Sequence, residues 1–451
     1  MNCQVFVSGG GIAGLTLGML LAEQGVEVVV AERTGGLQKQ YKGELLQPKS
    51  LEILDRAGLL KRIEAGGYTV PTIRMQERQA GAHQTAKTPE DIVFDYGVLG
   101  QPYNYALMHP HEELKETLLA RAQSYPSFRL VQPGSFAGLQ RSAAGHIEGA
   151  RVKAGEEDLL VKADVYVGAE GRASAMRAEM GVDAPKQEYN HHFLTVSFRR
   201  PLGLREATII SQGPRFLGMF PLPDDRVRTV YLIKPHEFKS MRKAGLPAFY
   251  DAYRALMPEM DGAVQTIRQW KDIQLMIPFR HHASSYVQGN VVLIGDAAHN
   301  VHPMAGEGMN LAIQDAAILA GLIGWNVSTG QSAAADLNTY EAIRRPRVDL
   351  ISDLSHLSAL AYAHGGRSWS AMRRHVLRGI SESEYLHFKY MLNVSGLGAW
   401  PDNWIDRLRQ LGVLPAGRAP TPEEKQARRF MKEQDAPWLR IKGRWSGLVD
   451  S

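Results

Sequence analysis

The densest chemistry in the chain lies between residues 291 and 315. Val291-Val292-Leu293-Ile294 runs into Gly295-Asp296-Ala297-Ala298-His299, then Pro303, then Gly306-Glu307-Gly308-Met309-Asn310-Leu311. A carboxylate where a strand ends can accept hydrogen bonds from a sugar or ribityl chain, and Asp296 is placed for that. Gly306 and Gly308 let backbone N–H groups come close to a ligand. Leu311, Ala312, Asp315 and Leu319 recur at helical spacing, so Gly308, Met309 and Asn310 open a helix. Such a helix N-terminus stabilises an electron-rich or anionic group.

A second constellation sits near the beginning. Gly9-Gly10-Gly11-Ile12-Ala13-Gly14 gives G-x-G-x-x-G. Glu32 and Arg33 come at the end of the next apolar run, Glu32 lying 18 residues past Gly14. Gly9 makes the turn, Gly11 admits a pyrophosphate, and Ala13-Gly14 lets helix pack on strand. Glu32, with Arg33 beside it, would meet the adenosine ribose. The unit fits either FAD or NAD.

The elements needed to hold these residues are legible. Gln4–Val7 reads as a strand, Leu15–Gln24 as a helix closed by Gly25, and Val26–Ala31 as a second strand. Val291–Ile294 reads as a strand buried on both faces. Leu51, Leu54 and Leu59 mark a short amphipathic helix ended by Gly58, and His111 opens another that turns Leu114, Leu118 and Leu119 inward. Residues 185–285 change character. Phe193–Phe198, Thr208–Gln212, Phe216–Pro221, Val227–Lys234 and Asp272–Ile277 are short β-rich runs, with a helix at Ala248–Met257. Strands of the same side are also expected within Met75–Tyr105. From Val348 the chain reads as helical, with Trp369, Trp400, Trp404, Trp438 and Trp445 and a basic face at Arg428, Arg429 and Lys432.

The stretch from Gly295 resembles a FAD motif of the single-component, para-hydroxybenzoate hydroxylase-like flavin monooxygenases. Gly-Asp, a Pro seven residues after the Asp, Gly-x-Gly and Asn all match. The resemblance implies that Asp296 binds the ribityl chain and that the helix N-terminus faces the isoalloxazine edge. Gly168-Ala169-Glu170-Gly171-Arg172-Ala173-Ser174-Ala175-Met176-Arg177 resembles the family's middle motif. That motif is associated with the pyrophosphate and with the nicotinamide cofactor. Gly171, Ser174 and Arg177 match it, while Glu170 stands where Asp is usual. His111 occupies the place of an Arg that contacts the flavin chain in many relatives. Gly43-Glu44-Leu45-Leu46-Gln47-Pro48 looks like the corresponding stretch of squalene epoxidases, which also carry His at the position of His111.

The implied architecture is α/β. A Rossmann-like FAD-binding domain covers 1–184 and 286–347, an inserted β-rich substrate domain covers 185–285, and a helical C-terminal region covers 348–451. The implied chemistry is reduction of FAD by transiently bound NADPH or NADH. Addition of O₂ then gives a flavin C4a-hydroperoxide, and oxygen passes to an electron-rich ring or alkene. Pro303, Gly306 and Gly308 are the expected surroundings of the peroxide, with Met309 and Asn310 at the flavin. Two alternatives stay open: flavin-dependent oxidation or reduction without oxygen insertion, and a non-catalytic flavin-binding protein.

Composition narrows the partners. Lys+Arg 52 against Asp+Glu 47 gives +5 without a basic run, so no nucleic-acid groove is expected. The single Cys3 supplies neither a redox pair nor a cysteine metal cluster, and no metal is expected. Trp270-Lys271-Asp272-Ile273 does not match the Trp-x-Trp-x-Ile-Pro signature of the related halogenases. Val5–Ala22 lacks a basic n-region, and no window has the apolar length of a span, so a cytoplasmic location is expected. Phe216, Met219, Phe220, Tyr231 and Met276 are candidate pocket walls. Arg226 and Arg228 follow Pro223-Asp224-Asp225 and read as solvated at a hairpin, which leaves no clamp for a small carboxylate. The substrate is therefore expected to be lipophilic. The C-terminal region reads as a structural cap, a homodimer contact or, through its Trp and basic residues, a peripheral membrane contact.

Overall fold

The computed structural model describes residues 1–34, 43–78, 91–260 and 262–440; Trp445 lies outside them. The strand Val5–Ser8 is the centre of a six-stranded sheet. Across it the order runs Val287–Gln288, Val291–Leu293, Val165–Gly168, Val5–Ser8, Val28–Ala31 and Phe128–Val131. All neighbours are parallel except the Val287–Gln288 edge. Strands covered on both faces need apolar residues at every position, and Val5–Val7, Val28–Val30 and Val291–Leu293 are all buried. The helix Ile12–Glu23 packs along one face against Gly308–Ser328. By length and composition Gly308–Ser328 could cross a membrane, but it is mostly buried inside the protein and carries Asn310, Gln314 and Asp315 inward.

A seven-stranded sheet forms the second layer. Its order is Gln274–Met276, His192–Arg199, Arg226–Ile233, Arg215–Leu222, Ala207–Gln212, Thr72–Glu77 and Ile92–Asp95. Ile92–Asp95 falls within the expected Met75–Tyr105 stretch and Thr72–Glu77 starts just before it, so the sheet is built from two separate parts of the chain. Alternation along the strands gives the sheet two distinct faces. Leu194, Val196, Leu217, Met219, Tyr231 and Ile233 pack against the helix Leu246–Leu256 and its neighbours. Phe193, Ile209, Phe216 and Leu232 lie on the other face, with Met75, Met276 and Met304 packed against them. Met304 belongs to the turn after Pro303, so this second face looks toward the Gly-Asp motif. Met219 and Tyr231, two of the expected pocket walls, therefore sit on the wrong face; Phe216, Phe220 and Met276 have the right parity.

Beyond Asn338–Ala363 the chain continues in helices Arg367–Glu382, Glu384–Ser395 and Trp404–Gln410. Trp438 is core and packs near Gly321, whereas Trp404 is exposed. The expected basic face is partly turned inward. Arg429 donates to the Leu99 carbonyl, and the Arg428 guanidinium covers the Trp400 ring at 4.8 Å.

Candidate active site

The glycines of the first turn act in different ways. Gly9 has φ +109°, and a Cβ there would lie 2.4 Å from the Ala169 carbonyl oxygen. A Cβ on Gly14 would lie 1.9 Å from the Gly9 carbonyl oxygen, so the helix touches the turn only because Gly14 has no side chain. Gly11 differs: among the described residues, chain neighbours aside, a Cβ there meets nothing within 4 Å. The backbone there is open to a ligand, which suits the close approach of a pyrophosphate. Glu32 closes the loop by accepting from Gly10 N–H at 2.7 Å and from Thr34 N–H at 2.9 Å. Burial opposes ionisation of Glu32, but the bonds from Thr34 and Gly10 outweigh it and hold the carboxyl below its usual range. Arg33 is exposed beyond it.

The Gly-Asp turn is held from behind. Gly295 has φ +58°, and a Cβ would be 3.2 Å from that of Ala312 and 3.3 Å from that of Ala13. This contact joins the first motif to the Gly-Asp motif. Asp315 accepts from Gly295 N–H at 2.8 Å, from His299 Nε2 at 2.7 Å and from Arg344 Nε at 2.7 Å. Arg344 also donates to Gln314 Oε1 at 3.1 Å. Burial would raise the Asp315 pKa, yet His299 and Arg344 together bring it below the usual value. Asp296 itself is one-third exposed, with Arg172 Nε 3.4 Å from its carboxylate. It therefore presents a carboxylate to the cleft while its neighbours on both sides are fixed. In the sequence Asp315 marks only helical spacing, and Arg344 carries no assignment. The available signal is a charged residue inside the apolar face of a long helix, which demands a buried partner.

Gly306 is left-handed, at φ +67° and ψ 24°, and its N–H returns to the Pro303 carbonyl at 2.9 Å. The first bond of the following helix is Leu311 N–H to Glu307 C=O. The N–H groups of Gly308, Met309 and Asn310 thus lie ahead of the ladder, at the positive end of the helix. The Asn310 side chain works elsewhere. Its Oδ1 accepts from Gln47 N–H at 2.8 Å and Ser50 Oγ at 2.7 Å, and its Nδ2 donates to Leu45 and Gly306 carbonyls at 2.9 and 3.0 Å. It fastens the 43–50 segment onto the turn, leaving only its backbone for a ligand. Between the two glycines, Glu307 is fully buried; among the described residues neither of its carboxyl oxygens has a hydrogen-bond partner. Burial pushes this carboxyl well above the usual range, with the neighbouring Gln47 side chain acting in the opposite direction.

The middle motif is self-supporting. Ser174 Oγ donates to Glu170 at 2.6 Å and Met176 N–H donates to it at 3.2 Å. Ser174 in turn caps Ala175–Glu179 by accepting from Arg177 N–H. Arg177 donates to the Ala297 carbonyl at 2.7 Å, tying this motif to the Gly-Asp turn. His111 is buried, with Nδ1 3.2 Å from the Gly43 carbonyl oxygen.

One expectation about the sheet is corrected. Arg226 is exposed at the strand start, but Arg228 is not solvated. Two residues further along the strand, it reaches the face that carries Val230 and Leu232. There it grips Glu44 with two bonds, of 2.9 and 2.8 Å. Its parity and the buried acid at Glu44 decide its position; proximity to the turn does not.

These residues fit FAD: an open glycine for the pyrophosphate, a fixed acid at the ribose end, a presented acid at the ribityl end and a helix N-terminus for the ring. Residues 2–355 match the family model described as FAD binding domain. The chain is 28% identical over 375 residues to 6-methylpretetramide 4-monooxygenase of Streptomyces rimosus, covering 82% of this chain and 87% of that one. It is 26% identical over 352 residues to ubiquinone hydroxylase UbiL of Rhodospirillum rubrum, covering 76% and 77%. In fold it is similar to p-nitrophenol 4-monooxygenase PnpA of Pseudomonas putida DLL-E4, with a TM-score of 0.75 at 18% identity over 87% and 98% of the two chains. The chain belongs to the FAD binding domain family, as a FAD-dependent monooxygenase of the para-hydroxybenzoate hydroxylase-like class.

Proposed function

We propose that this enzyme uses NADPH or NADH and O₂ to hydroxylate or epoxidise a lipophilic aromatic or isoprenoid-type small molecule. The observation that carries the substrate class is the face of the seven-stranded sheet turned toward the Gly-Asp motif. It presents Phe193, Ile209, Phe216 and Leu232, and its Arg228 is already gripped by Glu44. An arginine held in a two-bond fork by a buried carboxylate offers little to a benzoate. Apolar burial at about 25 cal/mol per Å² can hold a large substrate without an ion pair. The relatives named for 6-methylpretetramide and ubiquinone act on molecules of that character, which supports the same reading.

Bound FAD would supply hydride acceptance and oxygen activation. The protein's own contribution is positional. Glu32 and Gly11 hold the dinucleotide end, Asp296 orients the ribityl chain, and the N–H groups at 308–310 favour negative charge on the ring. Pro303 and Gly306 form the turn beside it, and the sheet excludes water. No side chain is needed as a nucleophile. We place this chemistry in the cytoplasm, where reduced nicotinamide is supplied. The test is coupled product formation from a panel of polycyclic phenols, quinols and prenylated aromatics, in competition with para-hydroxybenzoate and salicylate. Turnover of the lipophilic panel supports the reading; efficient coupled turnover of the small benzoates alone contradicts it.

A further inference from the structure

His302 stands immediately before Pro303, and its imidazole is completely buried. Its Nδ1 accepts the Met304 N–H at 3.2 Å, capping the short turn Pro303–Ala305. A ring nitrogen that accepts carries no proton, so neutral His302 is protonated at Nε2. That atom lies 2.9 Å from Nε2 of His191. The direction of the bond follows. His302 Nε2–H donates, His191 Nε2 accepts, and His191 keeps its own proton at Nδ1. Burial brings both rings far below the usual histidine pKa, to about 2 for His302 and about 4 for His191, so the pair is neutral at physiological pH.

The two histidines belong to different layers. His191 leads into His192–Arg199 of the seven-stranded sheet; His302 belongs to the turn that precedes the helix N-terminus. The rings are also fixed laterally. Tyr189 meets His302 edge-on at 4.4 Å, and its Oη is 2.9 Å from His356 Nδ1 on the helix Asn338–Ala363. Phe193 stands edge-on to His191 at 5.4 Å. A buried N–H···N bond between two neutral rings has no solvent to replace either partner, so breaking it leaves an unsatisfied group on each side.

We propose that the His302–His191 bond is a positioning link, through which the sheet fixes the Pro303 turn and the N-terminus at Gly308 relative to the flavin. This inference rests on the FAD reading above. Neither histidine touches the reacting atoms; both act through the turn.

Two substitutions separate the parts. His302→Asn keeps a side-chain acceptor for the Met304 N–H but is too short to reach His191. His191→Phe keeps an aromatic ring and removes the acceptor. In wild-type holoenzyme, ¹⁵N-histidine spectra should show His302 protonated at Nε2 and His191 at Nδ1, with neither titrating between pH 6 and 8. FAD titrated into apoprotein should bind each single variant at least threefold more weakly, and the double variant no more weakly than the worse single. Either histidine in the opposite tautomer would overturn the inference. So would additive losses, or a lowered apoprotein melting temperature with unchanged FAD affinity, which would mark a packing role only. Normal FAD binding by wild type and both variants sinks this inference alone; failure of wild type to bind FAD sinks the flavin reading with it.

Discussion

Arg344 and Asp315 are both fully buried, and the 2.7 Å bond from Arg344 Nε to Asp315 Oδ1 sets the geometry of a turn that neither residue belongs to. The other oxygen of Asp315 holds Gly295 N–H and His299. Removing Arg344 strands a carboxylate in the interior. Arg344→Ala should therefore cost about 3–5 kcal/mol of stability, read from urea unfolding. The pH dependence has a definite sign. Because the folded pKa of Asp315 is depressed, its contribution is present above the unfolded carboxylate pKa and is lost as pH falls through the folded one. Arg344→Ala should lose less on acidification over that window than wild type. A stability loss below about 1 kcal/mol, the scale of an ordinary hydrogen bond, would show the pair to be dispensable.

Gly11→Val distinguishes a ligand's space from the protein's. Among the described residues, chain neighbours aside, no atom lies within 4 Å of the added Cβ, so the fold should be unperturbed. The pyrophosphate should be excluded, giving a colourless protein with a normal circular dichroism spectrum. FAD retained at wild-type affinity would move the pyrophosphate elsewhere.

With Asp296 at the ribityl chain as proposed, Asp296→Ala should weaken FAD binding by about 0.5–1.5 kcal/mol, the worth of one hydrogen bond and a few-fold to tenfold in Kd. Fluorescence titration of apoprotein measures it. Unchanged affinity in a folded variant removes Asp296 from the site.

Glu307→Gln should stabilise the protein. The buried carboxyl is held neutral with a raised pKa, so the unfolded chain gains by ionising it once pH exceeds the ordinary carboxylate value near 4.5. The advantage of Gln should grow as pH rises from there toward 7, by at most about 1.4 kcal/mol per pH unit. Melting temperatures of both proteins across that range decide it; a variant less stable than wild type at pH 7 would mean that Glu307 is ionised and paired.

Much of this site was legible in the sequence because its constraints are local. G-x-G-x-x-G followed by Glu32 encodes one strand–turn–helix–strand unit, and Gly295-Asp296 through Asn310 encodes another. What local patterning does not carry is the partner chosen across the fold. Asn310 has a polar side chain next to a cofactor motif, yet it is consumed by Gln47, Ser50, Leu45 and Gly306. Arg228 follows a turn, and only strand parity and the remote Glu44 bury it. Met219 and Tyr231 are as apolar or aromatic as Phe216, and one step of register sends them to the helix-covered face. Glu170 stands where Asp is usual, and its carboxyl accepts from Ser174 Oγ and Met176 N–H.

The proposed reaction inserts oxygen from O₂ into a lipophilic substrate. The most direct measurement is product mass after turnover of the lipophilic panel with NADPH or NADH under ¹⁸O₂. The expected product is heavier than substrate by one ¹⁸O atom and is formed only by protein that carries FAD. A product with no ¹⁸O, formed with the same consumption of nicotinamide, would contradict it.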